Sequence, residues 1–237
     1  MSLTVKTALI TGASRGLGYE VARVLARERV NLVLTARGRP ALEAAARELR
    51  GHTEVVAVCA DVGEDAERIV AAGLERFARI DALLNNASEL GPTPLPPLAR
   101  LAWRELERIL RVNVLAPLHL AQLVLPGMLA AGGGVIVNVS SDAAVNAYPG
   151  WGGYGASKAA LDHLSRVLAK ELEGTGIRVL AVDPGDMDTQ MHRDAAPGED
   201  LSALPKPAAI APAIVRLLLD QTLPARRYQA AGLLPAR

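Results

Sequence analysis

Short, almost wholly apolar runs alternate along the whole chain with longer stretches in which apolar residues recur every three or four positions. The runs fall at 5–10 (VKTALI), 30–35 (VNLVLT), 54–60 (EVVAVCA), 80–85 (IDALLN), 134–140 (GVIVNVS) and 177–183 (IRVLAVD). Near-continuous Val, Ile and Leu, without strict alternation, predicts strands covered on both faces. The longer stretches predict helices over 16–28, 39–49, 64–78, 99–131, 152–173 and 207–220. Strand and helix in regular succession is the pattern of parallel βαβ units, so the expected fold class is α/β, a doubly wound sheet with helices on both faces. Pro117 lacks the N–H that a helix would direct at Asn113, so the stretch 99–131 is expected to kink or divide there.

Two connections are longer than compact α/β domains use: NASELGPTPLPPLAR at 86–100 and PGDMDTQMHRDAAPGEDLSALPKP at 184–207. Both are polar and proline-rich, and both follow the carboxyl end of a strand, where open parallel sheets bind ligands. The second is expected to cover a substrate, the alternative being a plain surface loop. No repeat, charge block or linker composition divides the chain, so residues 1–237 read as a single domain.

Composition removes several function classes. The 237 residues are half hydrophobic, with a formal net charge of +1 spread along the chain. That balance gives no bulk attraction for nucleic acid or an acidic membrane surface. The most apolar long stretch, 112–139, is interrupted by Pro117, His119, Gln122, Pro126 and three glycines, so it reads as a helix followed by a strand and not as a membrane span. The opening MSLTVKTALITG has neither a basic leader nor a cleavable apolar segment, so a soluble, cytoplasmic protein is expected. Cys59 is the one cysteine; an internal disulfide is excluded, and its apolar run suggests a small buried thiol. His52, His119, His163 and His192 lack metal-ligand spacing, so no metal is expected. Ser140 and Ser141 lie in no Gly-x-Ser-x-Gly elbow, which argues against a hydrolase.

Positive chemistry begins at TALITGASRGLGYEVARVLA, a strand that runs through a glycine-rich turn into a helix. Gly12 permits the sharp exit from the strand, Gly16 lets backbone approach a phosphate, and Gly18 lets the helix pack closely. The helix N–H groups then face a dinucleotide's pyrophosphate. An NAD site usually carries an acidic residue at the end of the second strand, but here that segment reads LTARGR. Ala36 offers no carboxylate, whereas Arg37 and Arg15 could converge on a 2′-phosphate, so NADP(H) is favoured and NAD(H) is the alternative. Farther on, YGASK places Tyr154 and Lys158 four apart, on one face of a helix. An ammonium beside a phenol favours phenolate, which predicts a lowered Tyr154 pKa and a group suited to acid–base work at a carbonyl.

These segments together resemble the short-chain dehydrogenase/reductase family, in its single-domain subclass. The resemblance covers nearly the whole chain: TGASRGLG at 11–18, ADV at 60–62, NNAS at 85–88, Asn113 in RVNVLAP, VNVSS at 137–141, YGASK at 154–158 and DPGDMDT at 183–189. It implies a Rossmann-type fold of about seven mostly parallel strands, and a homodimer or homotetramer acting on a small-molecule carbonyl or alcohol. It also implies residue roles. Tyr154 would be the general acid/base, Ser141, thirteen residues before it, would hold the substrate oxygen, and Lys158 would hold the nicotinamide ribose. Asn113 would hold a water linking Lys158 to solvent. Gly12, Ser14, Arg15, Gly16, Leu17, Gly18 and Arg37 would form the phosphate and adenosine end of the cofactor site. Asp61 and Val62 would contact adenine, Asn86 and Ala87 the adenosine ribose side, and Pro184, Gly185, Met187 and Thr189 the nicotinamide.

Two departures stand out. Ser88 occupies a position where the family usually has glycine, so it could alter the backbone there or point into the substrate space. The C-terminal RRYQAAGLLPAR lacks the family's common glycine pair, which leaves the last strand unplaced. Leu90, Tyr148, Trp151, Met187 and Met191 are candidates for an apolar substrate rim, with loop packing as the alternative. A cofactor-binding sensor without turnover is the competing class, and the complete Asn113, Ser141, Tyr154 and Lys158 set argues against it.

Overall fold

The computed structural model describes residues 4–234. Seven strands form one sheet: β1 (Thr7–Thr11), β2 (Asn31–Ala36), β3 (Val55–Cys59), β4 (Ala82–Asn85), β5 (Gly134–Val139), β6 (Ile177–Asp183) and β7 (Arg227–Gln229). Their order is β3-β2-β1-β4-β5-β6-β7, and every neighbouring pair is parallel. The chain steps outward from β1 through β2 to β3, then returns to the other side of β1 to begin β4. Connections therefore diverge between β1 and β4, and a crevice opens outside their carboxyl ends.

The unalternating strand composition follows from two cores. Leu9 and Ile10, adjacent in β1 and fully buried, belong to opposite faces. Ile10, Leu32, Leu34 and Val137 pack under α1 (Gly16–Arg27), α2 (Arg39–Leu49) and α8 (Pro207–Leu219) through Val21, Leu25, Leu42, Ile214 and Leu217. Leu9, Val33, Leu83, Ile136 and Val179 pack under α3 (Ala66–Phe77) and α5 (Ala116–Ala130) through Ile69, Val70, Leu120, Val124 and Met128. Each such side chain contributes about 1.5–3 kcal/mol by leaving water.

The break expected near Asn113 is present and takes the form of a π-helical turn, Arg111–Leu115, between α4 (Trp103–Leu110) and α5. Pro117 stands in the first turn of α5, where its missing N–H costs nothing. The helix begins later than residue 99, because Leu98–Arg100 is a separate single turn of 3-10 helix. The stretch Trp103–Ala130 is apolar and long enough to cross a membrane, but its buried residues, among them Ile109, Val114, Leu120 and Met128, line the core. Within the second long connection the structure adds a short helix, α7 (Gln190–Ala195), and α6 (Gly152–Glu171) carries the YGASK segment. Cys59 departs from expectation: it ends β3 only half-buried, with its thiol donating to the Arg37 carbonyl at 3.3 Å.

At the opposite edge of the sheet, Asp81 is 1% exposed and ties three strand starts together. Its Oδ2 accepts from the N–H groups of Lys6 (2.8 Å) and Thr7 (3.0 Å), its Oδ1 pairs with Arg79, and its carbonyl accepts from Val135 N–H (3.0 Å). Asp81→Ala strands two buried N–H groups and a guanidinium, so urea unfolding is expected to show a loss of about 3 kcal/mol.

Candidate active site

The crevice at the carboxyl ends is a cleft of about 1500 Å3, lined from Gly12 at one end to the α7 segment at the other. Its floor near β1 is built around the side chain of Asn86. The Asn86 amide donates to the Thr11 and Gly12 carbonyls (2.9 and 3.2 Å), while Thr11 Oγ1 accepts from the N–H groups of Asn86 and Ala87 (both 2.9 Å). This packing dictates two glycines: a Cβ on Gly12 would meet Asn86 Nδ2 at 2.8 Å, and one on Gly18 would meet it at 2.5 Å. Gly16 differs, being left-handed at φ +61° with nothing within 4 Å of a Cβ, so its backbone faces open cleft. Helix α1 begins there with no capping side chain and no acid in its first turn. Its N-terminal dipole is thus presented to the cleft without internal compensation.

Ser14, Arg15, Leu17, Ala36, Arg37, Asp61, Val62 and Ala87 join this lining. Arg37 is two-thirds exposed and pairs with Glu89 at 3.6 Å, whereas among the described residues no salt bridge engages Arg15. Asp61 closes a local turn, accepting from Gly63 N–H at 2.8 Å.

At the far end, Tyr154 sits in the first turn of α6 and Lys158 one turn later, 8% and 2% exposed. Lys158 Nζ donates to the Val139 carbonyl at 2.8 Å and lies 5.5 Å from the centre of the Tyr154 ring. Ser141 leaves β5 to start a 3-10 turn, and its Oγ accepts from Ala143 N–H (3.1 Å) and donates to Asp142 (3.0 Å). The Ser88 and Ser141 hydroxyls lie beside the Tyr154 hydroxyl, where both act to lower its pKa. Gly155 makes this convergence possible, since a Cβ there would strike the Ala143 carbonyl at 2.6 Å. The four residues expected at the reaction centre are therefore brought together.

Asn113 is fully buried with its hydrogen-bonding capacity filled. Its Nδ2 donates to the Glu89 carbonyl and to Ser157 Oγ (both 2.9 Å), and its Oδ1 accepts from Glu89 N–H (2.8 Å) and Ser88 Oγ (3.2 Å). The side chain is a clamp between the loop after β4, the π turn and α6; it has no place left for a water. Ser88, the departure noted in NNAS, lines the cleft, donating to Asn113 with its hydroxyl beside that of Tyr154.

Electrostatics correct one expectation. Burial pushes the Tyr154 phenol up to about 12, outweighing the Ser88 and Ser141 hydrogen bonds that lower it. A lowered value was expected from Lys158, but its ammonium is aimed at the Val139 carbonyl and is itself pushed down to about 8 by burial, against the charge of Asp162. Desolvation drives both groups toward neutrality, and the phenol is held as an acid.

Leu90, Tyr148, Trp151, Met187 and Met191 all line the cleft, with the Trp151 ring edge-on to Tyr154 at 5.7 Å. Pro184, Gly185 and Thr189 line it as well. Residues outside the expected set do so too, Asp142 and His192 among them. Asp142 accepts from Tyr148 Oη at 2.7 Å, and His192 lies between Asp186 (3.9 Å) and Glu199 (3.7 Å). Adjacency to Ser141 could have flagged Asp142; nothing in the spacing of His192 does. Among the described residues no cluster of His, Cys, Asp or Glu could hold a metal.

The family model for short chain dehydrogenases matches residues 6–200. The chain belongs to the short-chain dehydrogenase family. It is an oxidoreductase acting on CH–OH or C=O groups. This dehydrogenase is 34% identical over 233 residues to an uncharacterized oxidoreductase of Listeria monocytogenes, covering 93% of both chains. Its fold matches a short chain dehydrogenase from Shigella flexneri complexed with NADP (TM-score 0.84, 29% identity, 97% and 98% of the chains). It equally matches an NAD+-bound xylitol dehydrogenase (TM-score 0.84, 25% identity, 97% and 98%).

The buried lysine of this dehydrogenase gives a pH signature. Unfolded, Lys158 titrates near 10.5 and folded near 8, so between these values the unfolded chain binds the extra proton and stability rises with pH. Urea unfolding of wild type and Lys158→Met on either side of pH 8 is expected to show that rise in the wild type and its loss in the variant.

Proposed function

We propose that this dehydrogenase reduces a ketone or aldehyde with NADP(H), and oxidises the corresponding alcohol in reverse, with Tyr154 as the proton-transferring group. The observation that carries the reading is the Tyr154 phenol itself: buried, held as an acid, flanked by the Ser88 and Ser141 hydroxyls and one helical turn from Lys158.

The residues present fit a nicotinamide dinucleotide. The open backbone at Gly16 and the uncapped start of α1 suit a pyrophosphate, with Gly12, Ser14, Leu17 and Gly18 shaping the turn. Asp61 and Val62 would flank adenine, Asn86 and Ala87 the adenosine ribose side, and Pro184, Gly185, Met187 and Thr189 the nicotinamide. A bound nicotinamide supplies the hydride. Lys158 Nζ would hold the ribose hydroxyls, and its charge favours phenolate once Tyr154 has given up its proton. Tyr154 Oη donates that proton to the carbonyl oxygen as the hydride arrives, and takes it back in oxidation. Ser141 Oγ positions the same oxygen. Because the Asn113 side chain is saturated, a water relaying protons toward Lys158 would be held by backbone of the π turn, and Asn113 serves by fixing the loop.

Arg15 and Arg37, with Ala36 where an acid would select NAD, support a 2′-phosphate and hence NADP(H). The pairing of Arg37 with Glu89 favours NAD(H) as the second reading, since it divides that charge. The rim of Leu90, Trp151, Met187 and Met191 suits an apolar or aromatic carbonyl compound. A homo-oligomer belongs to the same reading: Trp103, Leu115 and Val167 are exposed on adjoining helical elements.

The deciding assay is NADPH oxidation across ketones, aldehydes, diketones and β-ketoacyl thioesters. Tyr154→Phe is expected to lower turnover by at least about 100-fold while leaving NADPH affinity in place; unaltered turnover sinks the assignment. Arg37→Asp is expected to shift the NADPH-to-NADH preference by about 10-fold or more toward NADH; an unchanged ratio of kcat/KM values rules out a 2′-phosphate contact.

A further inference from the structure

The shortest strand, β7, carries Arg227, and this guanidinium touches three elements of the reaction centre at once. Its Nε donates to Asp162 Oδ2 on α6 at 2.9 Å. Its Nη2 donates to the backbone carbonyl of Ser141 at 2.9 Å and to Asp183 Oδ2, at the end of β6, at 3.4 Å. Asp162 lies one turn beyond Lys158 on the same helix, and its charge supports the Lys158 ammonium. The other Asp162 oxygen is buried with no hydrogen-bond partner, so Arg227 fixes this carboxylate. Asp183 in turn accepts from Gly185 N–H at 3.0 Å, at the head of the segment that runs on to Met187 and Thr189.

Arg227 thus holds Ser141 directly, and reaches the surroundings of Lys158 and Gly185 only through Asp162 and Asp183, from more than 40 residues further along the chain. The Ser141 carbonyl matters most. The Ser141 Oγ hangs on a backbone that must lie correctly against Tyr154, and Arg227 is the cation that holds its carbonyl. A planar fork can serve several acceptors in different directions, which the compact ammonium of a lysine cannot.

We propose that Arg227 is a positioning residue: through the Ser141 carbonyl and the Asp162 and Asp183 carboxylates, it sets the Ser141 hydroxyl against Tyr154. The inference rests on the reading of Ser141 and Tyr154 given above.

Arg227→Lys, Ser141→Ala and the double variant test it, with kcat and KM measured on whichever panel ketone turns over fastest, alongside NADPH affinity and the thermal midpoint. Arg227→Lys keeps a cation between the two carboxylates but loses the fork. It is expected to melt close to wild type and bind NADPH as wild type does, yet to lose about 10- to 100-fold in kcat. Added to Ser141→Ala, it is expected to cost less than about 2-fold more, because two groups acting as one unit are not additive. An unchanged kcat in Arg227→Lys, or the same fold-loss in both backgrounds, overturns the inference. A Ser141→Ala variant with wild-type kcat overturns the underlying reading, and the inference with it. Should Arg227→Lys melt far below wild type, Arg227→Gln combined with Asp162→Asn, neutral at both ends of the lost ion pair, is judged by the same criteria.

Discussion

Seven parallel strands end at one edge of the sheet, and everything chemical in this dehydrogenase follows from that constraint. The carboxyl ends of the first six strands deliver their next few residues to the same crevice: the glycine turn after β1, Arg37 after β2, Asp61 after β3, Ser88 after β4, Ser141 after β5 and Gly185 after β6. Parallel pairing aligns the ends but leaves the loops free to diverge. Side chains close the gaps between them. Asn86 joins the β4 loop to the β1 turn, Asn113 joins it to the π turn and α6, and Arg227 joins β7 to the loop after β5. These polar side chains are buried or part-buried, where unmet hydrogen bonds are costly, and each therefore favours one loop arrangement.

Burial also sets the electrostatic character of the centre. Tyr154 and Lys158 share a helix face, and desolvation moves each toward its uncharged form, the phenol up to about 12 and the amine down to about 8. Opposing influences are local and polar: the Ser88 and Ser141 hydroxyls for Tyr154, and the Asp162 charge for Lys158. The result is a phenol whose acidity is governed by neighbours that can be removed one at a time. Ser88 matters in this balance, because it adds a hydroxyl beside that of Tyr154.

Much of this was legible in the chain. Six strand runs and the major helical stretches follow from hydrophobic pattern alone, because a sheet covered on both faces needs unalternating strands. The divided helix at Asn113 was legible from Pro117, a purely local effect. What the pattern missed has non-local causes. Strand β7 offers three residues with Tyr228 as its buried member, too little for a periodic signal, and its place comes from pairing Val182 with Tyr228. Cys59 looked buried by its run, yet the strand ends there.

By itself, then, the sequence determined the fold class and the glycine turn and singled out Asn113, Ser141, Tyr154 and Lys158 as candidates, because helical spacing, strand composition and ordered motifs are properties of neighbours along the chain. The tertiary structure decided what those groups experience: that Asn113 is a saturated clamp, that Ser88 reaches Tyr154, that burial overrides Lys158 in setting the phenol's acidity, and that Arg227 holds Ser141. Desolvation and long-range hydrogen bonds depend on what surrounds a group in space, and that surrounding exists only once the sheet has brought distant loops to one edge.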